Sequence, residues 1–256
     1  MHLLLSSMNR KPASLYHPHV LSSPYRDDAG VAKYRHEVLA VVLRVGADSR
    51  RLEVLAWRRE HEPFTGRWAL PSGPVEVDES LDRALERHLA ERVDLTALSH
   101  SEQLETFSDP GRDPFERTIA TAYLGLVPCD AAVRPPRGVV WLDAQEPGEM
   151  AFDHQRVVAR GVARLRAKMS YTNIAFALAP SEFVLSELRE VYVAALGHDV
   201  DVTNLGRVLA RRRQIVETGG RRSAGAQGGR PARLYRFVDR RYAVTDPFAV
   251  LKGPAA

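Results

Sequence analysis

The sequence predicts an α+β chain built in two parts: strands around a helix, then three helices and a two-stranded hairpin. Three observations carry this. β-Prone apolar runs flank one helical repeat up to residue 152, the element order of an α+β sandwich. From Asp153 onward the apolar residues recur at a spacing of about 3.6, the mark of amphipathic helices. Arginine then crowds one stretch: residues 200–241 hold eleven, against Asp201, Glu217 and Asp239. Because the whole chain has a net charge of +4, that stretch is basic and the remainder acidic, so one part alone suits a polyanion.

The elements follow in order. Val38–Val45 (VLAVVLRV) and Leu52–Trp57 (LEVLAW) read as strands, and Gly46–Ser49 (GADS) suits a hairpin-like connection. A Gly/Pro-punctuated loop, EPFTGRWALPSG, fills residues 62–73. After it Leu81, Leu85, Leu89 and Val93 recur every four residues along one helical face. Thr118–Val127 and Gly138–Leu142 close the first part as strands. In the second part Val157, Val158, Val162, Leu165 and Met169 mark a helix over 154–169. Phe183, Leu188, Val191, Tyr192 and Leu196 mark another, stopped by Gly197. A third begins at Asp201, a good N-cap residue, and carries Val202, Leu205, Val208 and Leu209. A β-prone run (IVETG, 215–219), a flexible Gly/Arg-rich excursion and a second run (LYRF, 234–237) complete the order of a winged helix-turn-helix. The chain therefore divides into a loosely ordered arm at 1–30, an α+β domain at 31–152 and a winged helix-turn-helix domain at 153–256.

Composition sets the compartment. The chain is 45% hydrophobic and 27% charged, an ordinary globular balance. Cys129 is the single cysteine, so no internal disulfide forms, as suits a cytoplasmic protein. The apolar run Leu3–Leu5 is too short for a signal-peptide core, and no membrane partner is expected.

The segment GPVEVDESLDRALERHLAERVDL (73–95) resembles the Nudix box, G-x5-E-x7-R-E-U-x-E-E-x-G-U with U apolar. Gly73, Glu79, Arg87, Leu89, Glu91 and Leu95 fall in register. GRWALPSG precedes the box, and TFSDPGRDP (106–114) is similar to a loop of the family's ADP-ribose-related members. In a full box, helix positions 87, 88, 91 and 92 share a face, where carboxylates hold Mg²⁺ against a pyrophosphate and help activate water. Here His88 and Arg92 stand where two carboxylates belong, and Asp94 replaces a glycine. A guanidinium about 4 Å from a dication repels it in any dielectric, and imidazole is a poor ligand for hard Mg²⁺. The expectation is a Nudix-type α/β/α sandwich without hydrolase chemistry: no catalytic residue, metal or other cofactor is assigned. Candidate ligand-binding residues are Trp68 as a stacking surface, Arg58, Arg67 and Arg112 as pyrophosphate grips, and the surviving carboxylates Glu79 and Glu91.

On the third helix of the second part, Asn204, Arg207 and Arg211 share a polar, cationic face opposite the apolar stripe. Such a face can enter a major groove, where Arg pairs with guanine and Asn with adenine. Arg212 follows it, and Arg221, Arg222 and Arg230 on the excursion suit a wing that meets phosphates or a minor groove. FDHQRVVARGVARLRAKMSY (152–171), LAPSEFVLSELREVYVAALG (178–197), DVTNLGRVL (201–209) and GRPARLYRF (229–237) resemble the C-terminal half of the NrtR family, Nudix-related transcriptional regulators of NAD metabolism. That resemblance implies a homodimeric repressor of NAD-biosynthesis genes that binds double-stranded operator DNA and responds to an ADP-ribose-like nucleotide. Two departures stand out: Val184 where a Thr N-cap is usual, and Gly206 inside the recognition helix, read as admitting close backbone approach to DNA. Two other readings compete, an active Nudix hydrolase with an accessory basic domain and an RNA-binding protein. The first meets His88 and Arg92; the second lacks aromatics spread over a sheet face.

Overall fold

The computed structural model describes residues 26, 29–96, 98–133, 135–223 and 231–246. The expected arm at 1–30 lies almost wholly outside them. Strands β1 (Arg35–Val45), β2 (Leu52–Arg58), β3 (Trp68–Ala69), β4 (Ser72–Pro74), β5 (His100–Phe107), β6 (Thr118–Leu126) and β7 (Val139–Asp143) form a seven-stranded mixed sheet. Its central path runs β3-β2-β1-β6-β5, with β4 pairing β1 and β7 pairing β2. β1 and β6 are parallel, Val38 opposite Thr121, and β1 and β2 are antiparallel.

The central strand shows why the sheet is covered on both sides. Successive strand residues point to opposite faces. Val38, Ala40 and Val42 of β1 enter one buried cluster with Leu85, Leu89 and Val93 of helix α1 (Leu81–Val93). Leu39, Val41 and Leu43 enter a second with Val157, Val158, Val162 and Leu165 of helix α2 (His154–Met169). Helix α2, grouped from the sequence with the second part, therefore covers the sheet and completes the α/β/α sandwich, to which each fully buried Leu or Val contributes about 1.5–3 kcal/mol. Gly161 is needed for α2 to lie this close, since a Cβ there would fall 2.6 Å from Val41 Cγ1.

The second cluster does not stop at α2. It continues through a short 3-10 turn (Ile174–Ala177) and helix α3 (Leu185–Leu196) to Leu205 and Leu209 of helix α4 (Val202–Arg211). Ile215 of β8 (Ile215–Arg222) and Phe237 of β9 (Ala232–Phe237) complete it. β8 and β9 pair antiparallel, Ile215 opposite Phe237 and Arg222 opposite Ala232. Phe183 ties the hairpin to the entry of α3, exchanging backbone hydrogen bonds with Tyr235 at 3.0 and 2.8 Å. No helix among the described residues is long and apolar enough to cross a membrane.

Candidate functional site

The box helix begins at Ser80, whose hydroxyl accepts from the Arg83 N–H at 3.3 Å. It ends at Asp94 in the left-handed region (φ 53°), and the Leu95 N–H closes the last turn onto Leu89 O at 3.1 Å. A left-handed cap favours glycine, which explains the family's glycine there; Asp adopts that conformation more readily than most residues.

On the outer face, Arg87 donates to Glu79 from Nε at 3.1 Å and from Nη2 at 2.5 Å. Those bonds, and the Glu76 N–H, hold the Glu79 pKa down to about 2. Glu79 is thereby committed to an arginine, and Glu91 lies 3.6 Å from the same guanidinium. His88 is buried with its ring under Gly73, where a Cβ would come within 2.1 Å of Cε1, and Nε2 donates to Pro74 O at 2.9 Å. Among the described residues no three His, Cys, Asp or Glu side chains gather where they could hold a metal ion. The donors that remain do not fit Mg²⁺, which wants near-octahedral oxygen ligands.

Beside this helix lies a cleft of about 260 Å³. Arg35, Arg59, Arg92, Trp57, Phe152 and Glu37 are among its walls. None of these was assigned as a ligand contact from the sequence. Only Arg92 carried a signal, as the cation in a carboxylate's place. Arg58, Arg67, Trp68, Arg112, Glu79 and Glu91 do not line the cleft. Arg112 is instead buried against Asp153, with Nη2 donating at 2.9 Å. Arg67 pairs with Glu149 at 3.3 Å, and Arg58 donates to Gly66 O at 3.1 Å while facing the Trp68 ring. These are the structural roles an arginine most often fills.

The cleft is joined to α2 through Phe152 and His154, two residues apart. Phe152 faces the Arg59 guanidinium at 5.0 Å. His154, fully buried, accepts the Leu70 N–H on Nδ1 at 3.0 Å and so anchors the GRWALPSG loop to the helix. Burial first, then the Arg112 and Arg59 charges, push its pKa down to about 3.

In the winged helix, α3 opens at Val184, whose backbone N–H is satisfied by Glu187 Oε2 at 3.0 Å in place of a side-chain cap. Gly197, at φ 78°, ends it in the left-handed region. Asp201 Oδ1 then caps α4 by accepting from the Asn204 N–H at 2.6 Å. Asn204, Arg207 and Arg211 are exposed on α4, and Arg207 Nη2 donates to Asn204 Oδ1 at 2.9 Å, so two of the three are braced together. Gly206 corrects the sequence reading: it is buried, and a Cβ there would fall 2.9 Å from Leu185 Cδ1. It lets α4 sit close on α3 and does not face outward.

Arg212 is engaged away from the exposed trio, donating to Asp246 at 2.7 Å and to Ser170 O at 2.9 Å. Arg221 and Arg222, expected on a flexible loop, belong to strand β8. Arg222 is paired with Glu187, whereas Arg221 is exposed at the hairpin's outer end opposite Arg233. Arg230 lies outside the described residues.

Residues 33–161 match the NUDIX domain family model, and residues 175–237 match the NrtR DNA-binding winged helix domain. The chain is similar to the ADPR responsive transcriptional repressor NtrR of Acinetobacter baylyi, 29% identical over 198 residues, 75% of this chain and 78% of that protein. It is also similar to an ADP-ribose pyrophosphatase of Methanocaldococcus jannaschii, 28% identical over 127 residues, 49% of this chain and 73% of that one. Among solved structures, Shewanella oneidensis NrtR complexed with a 27mer DNA aligns with a TM-score of 0.67 at 28% identity, covering 78% of this chain and 92% of that one. A NUDIX domain followed in this order by an NrtR DNA-binding winged helix places the chain in the NrtR family.

Proposed function

We propose that the chain is a cytoplasmic, homodimeric transcriptional repressor of NAD biosynthesis and salvage genes. Its Nudix domain senses ADP-ribose or a related nucleotide without hydrolysing it, and its winged helix holds operator DNA. One observation carries this reading: helix α4, which exposes Asn204, Arg207 and Arg211, shares a continuous buried core with a Nudix sandwich whose helix α1 bears His88 and Arg92. A two-fold dimer would present two such faces to matched half-sites. Arg221 and Arg222 on the hairpin supply phosphate contacts beside them.

Regulation requires that the nucleotide prefer one arrangement of the two winged helices over another. Adding ADP-ribose to a gel shift on a palindromic duplex from the chain's own operon neighbourhood should weaken binding about 5- to 150-fold. Retained affinity at saturating nucleotide would refute the sensing role. A second reading, a hydrolase with an accessory basic domain, draws on the similarity to the pyrophosphatase. It demands ADP-ribose turnover with Mg²⁺ or Mn²⁺ on the order of 1 s⁻¹ or faster; the repressor reading expects negligible turnover.

A further inference from the structure

We infer that Arg92 and Arg59 take over the work of the divalent cation, so that the cleft binds the diphosphate of its nucleotide through guanidinium groups and without a metal. This rests on the reading that the cleft receives an ADP-ribose-like ligand. Its starting point is that two cations here share one aromatic seat. The Arg92 guanidinium lies 5.0 Å from the Trp57 ring centroid, and that of Arg59 lies 5.9 Å from the same ring. Arg59 also faces Phe152 at 5.0 Å. Cation–π contact holds a guanidinium in place while leaving its N–H groups free to donate.

The cleft also carries four carboxylates, Glu37, Glu62, Asp113 and Glu116. Glu37 and Glu116 are both bound by Arg35, at 2.6 and 2.8 Å. Asp113 accepts from Thr118 Oγ1 at 3.2 Å and from the Phe115 N–H at 2.9 Å. Arg59 Nε donates to Pro63 O at 2.6 Å, and the carboxylates that act on Arg59 do so from beyond ion-pair distance among the described residues. Burial lowers the Arg59 pKa, Glu37 pulls it back, the Arg92 charge lowers it further, and Asp113 and Glu62 oppose that. Guanidinium forks match phosphate oxygens, so the paired Arg59 and Arg92 suit a diphosphate at their end of the cleft.

The position of Arg92 makes the exchange specific. It occupies the place of a metal-holding carboxylate on α1, so the positive charge that a cation would bring arrives covalently attached to the helix. Magnesium then competes with the protein: by neutralising the free diphosphate it removes the charge that the arginines recognise. The affinity for ADP-ribose should therefore be undiminished in chelator and no higher in millimolar Mg²⁺, opposite to the metal dependence expected of a carboxylate-lined site.

The test is calorimetric titration of the full chain with ADP-ribose, in chelator and in Mg²⁺, for the wild type and three variants. Arg92→Ala should lose about 10- to 150-fold in affinity, the range for hydrogen bonds to charged groups. Arg92→Lys should retain part of it, because charge persists without the fork. Arg83→Ala, on the same helix with its side chain 79% exposed, should bind as the wild type does. Operator binding in the absence of nucleotide should be the same for all four and so reports folding. Wild-type binding that needs Mg²⁺, or an Arg92→Ala affinity equal to wild type, overturns this inference alone. Failure of the wild type to bind ADP-ribose in either medium overturns the nucleotide reading and the inference with it.

Discussion

His154 should make the first half of the chain acid-labile at a pH where most carboxylates are still ionised. The residue is 2% exposed, and Nδ1 is already used as an acceptor for the Leu70 N–H. Protonation would set two N–H groups against each other in a dry site beside Arg112 and Arg59, and the pKa accordingly falls from 6.5 to about 3. The unfolded chain binds this proton and the native chain does not. Stability is therefore complete above pH 6.5 and is lost progressively as the pH falls toward 3. At about pH 5.5 the loss amounts to about 1.4 kcal/mol, one pH unit below the unfolded value. Urea unfolding followed by tryptophan fluorescence reads the relevant half, since Trp57, Trp68 and Trp141 all lie within it. His154→Asn keeps a short acceptor near Nδ1 and removes the titration. Its stability should drop by about 1.4 kcal/mol less than wild type between about pH 7.5 and 5.5. Equal pH dependence of the two proteins would refute the reasoning.

Three further expectations follow from the geometry. Arg207→Ala should cost about 1–3 kcal/mol on the preferred duplex and relax base preference, while Arg221→Ala should weaken all duplexes alike and reduce the salt slope by about 0.9; anisotropy titrations across salt separate the two, and unchanged affinity in both would move the DNA face elsewhere. Asp94→Gly should raise stability by about 0.5–1 kcal/mol, because glycine adopts the left-handed cap without strain, and a lower urea midpoint would contradict the cap assignment. Gly197→Ala, forced to φ 78° with its Cβ 2.6 Å from Arg166 Nη2, should lose about 1–2 kcal/mol and weaken operator binding through the α3–α4 turn; a variant as stable as wild type would show that the turn relaxes freely.

Much of the fold was legible because the apolar pattern is strict where burial is complete. β1, β2 and β6 are nearly unbroken hydrophobic runs, and each residue of the α2 stripe read from the sequence is buried. β5 escaped notice for a physical reason. Its sequence, HSEQLETF, buries only Leu104 and Phe107, and a register shift between Gln103 and Glu105 breaks the alternation. β3 and β4 are two and three residues long and lie in a segment whose glycines and prolines signal loop. The cleft was hidden because Arg35, Arg59 and Arg92 converge only through strand pairing and the return of α1 over the sheet. Arg112 misled in the opposite sense: a loop arginine beside glycine reads as a phosphate grip, yet Asp153 fills its fork. Gly206 misled because helix periodicity alone cannot say which side of a glycine the neighbouring helix occupies.

The unbroken apolar cluster from β1 through α2 and α3 to the hairpin bears on how a signal would travel. A chain with a soft joint could tilt its reading head while the rest stood still; here one buried cluster runs through both ends, which favours their moving together. In the proposed dimer the natural moving part is then the angle between two such chains, which work like the arms of a pair of callipers. The distance between the points, and so the half-site spacing that can be gripped, follows from how the arms meet. A nucleotide wedged at the Phe152 end need change that angle only slightly, because an arm that moves as one magnifies a small rotation at its root into a larger displacement at its tip.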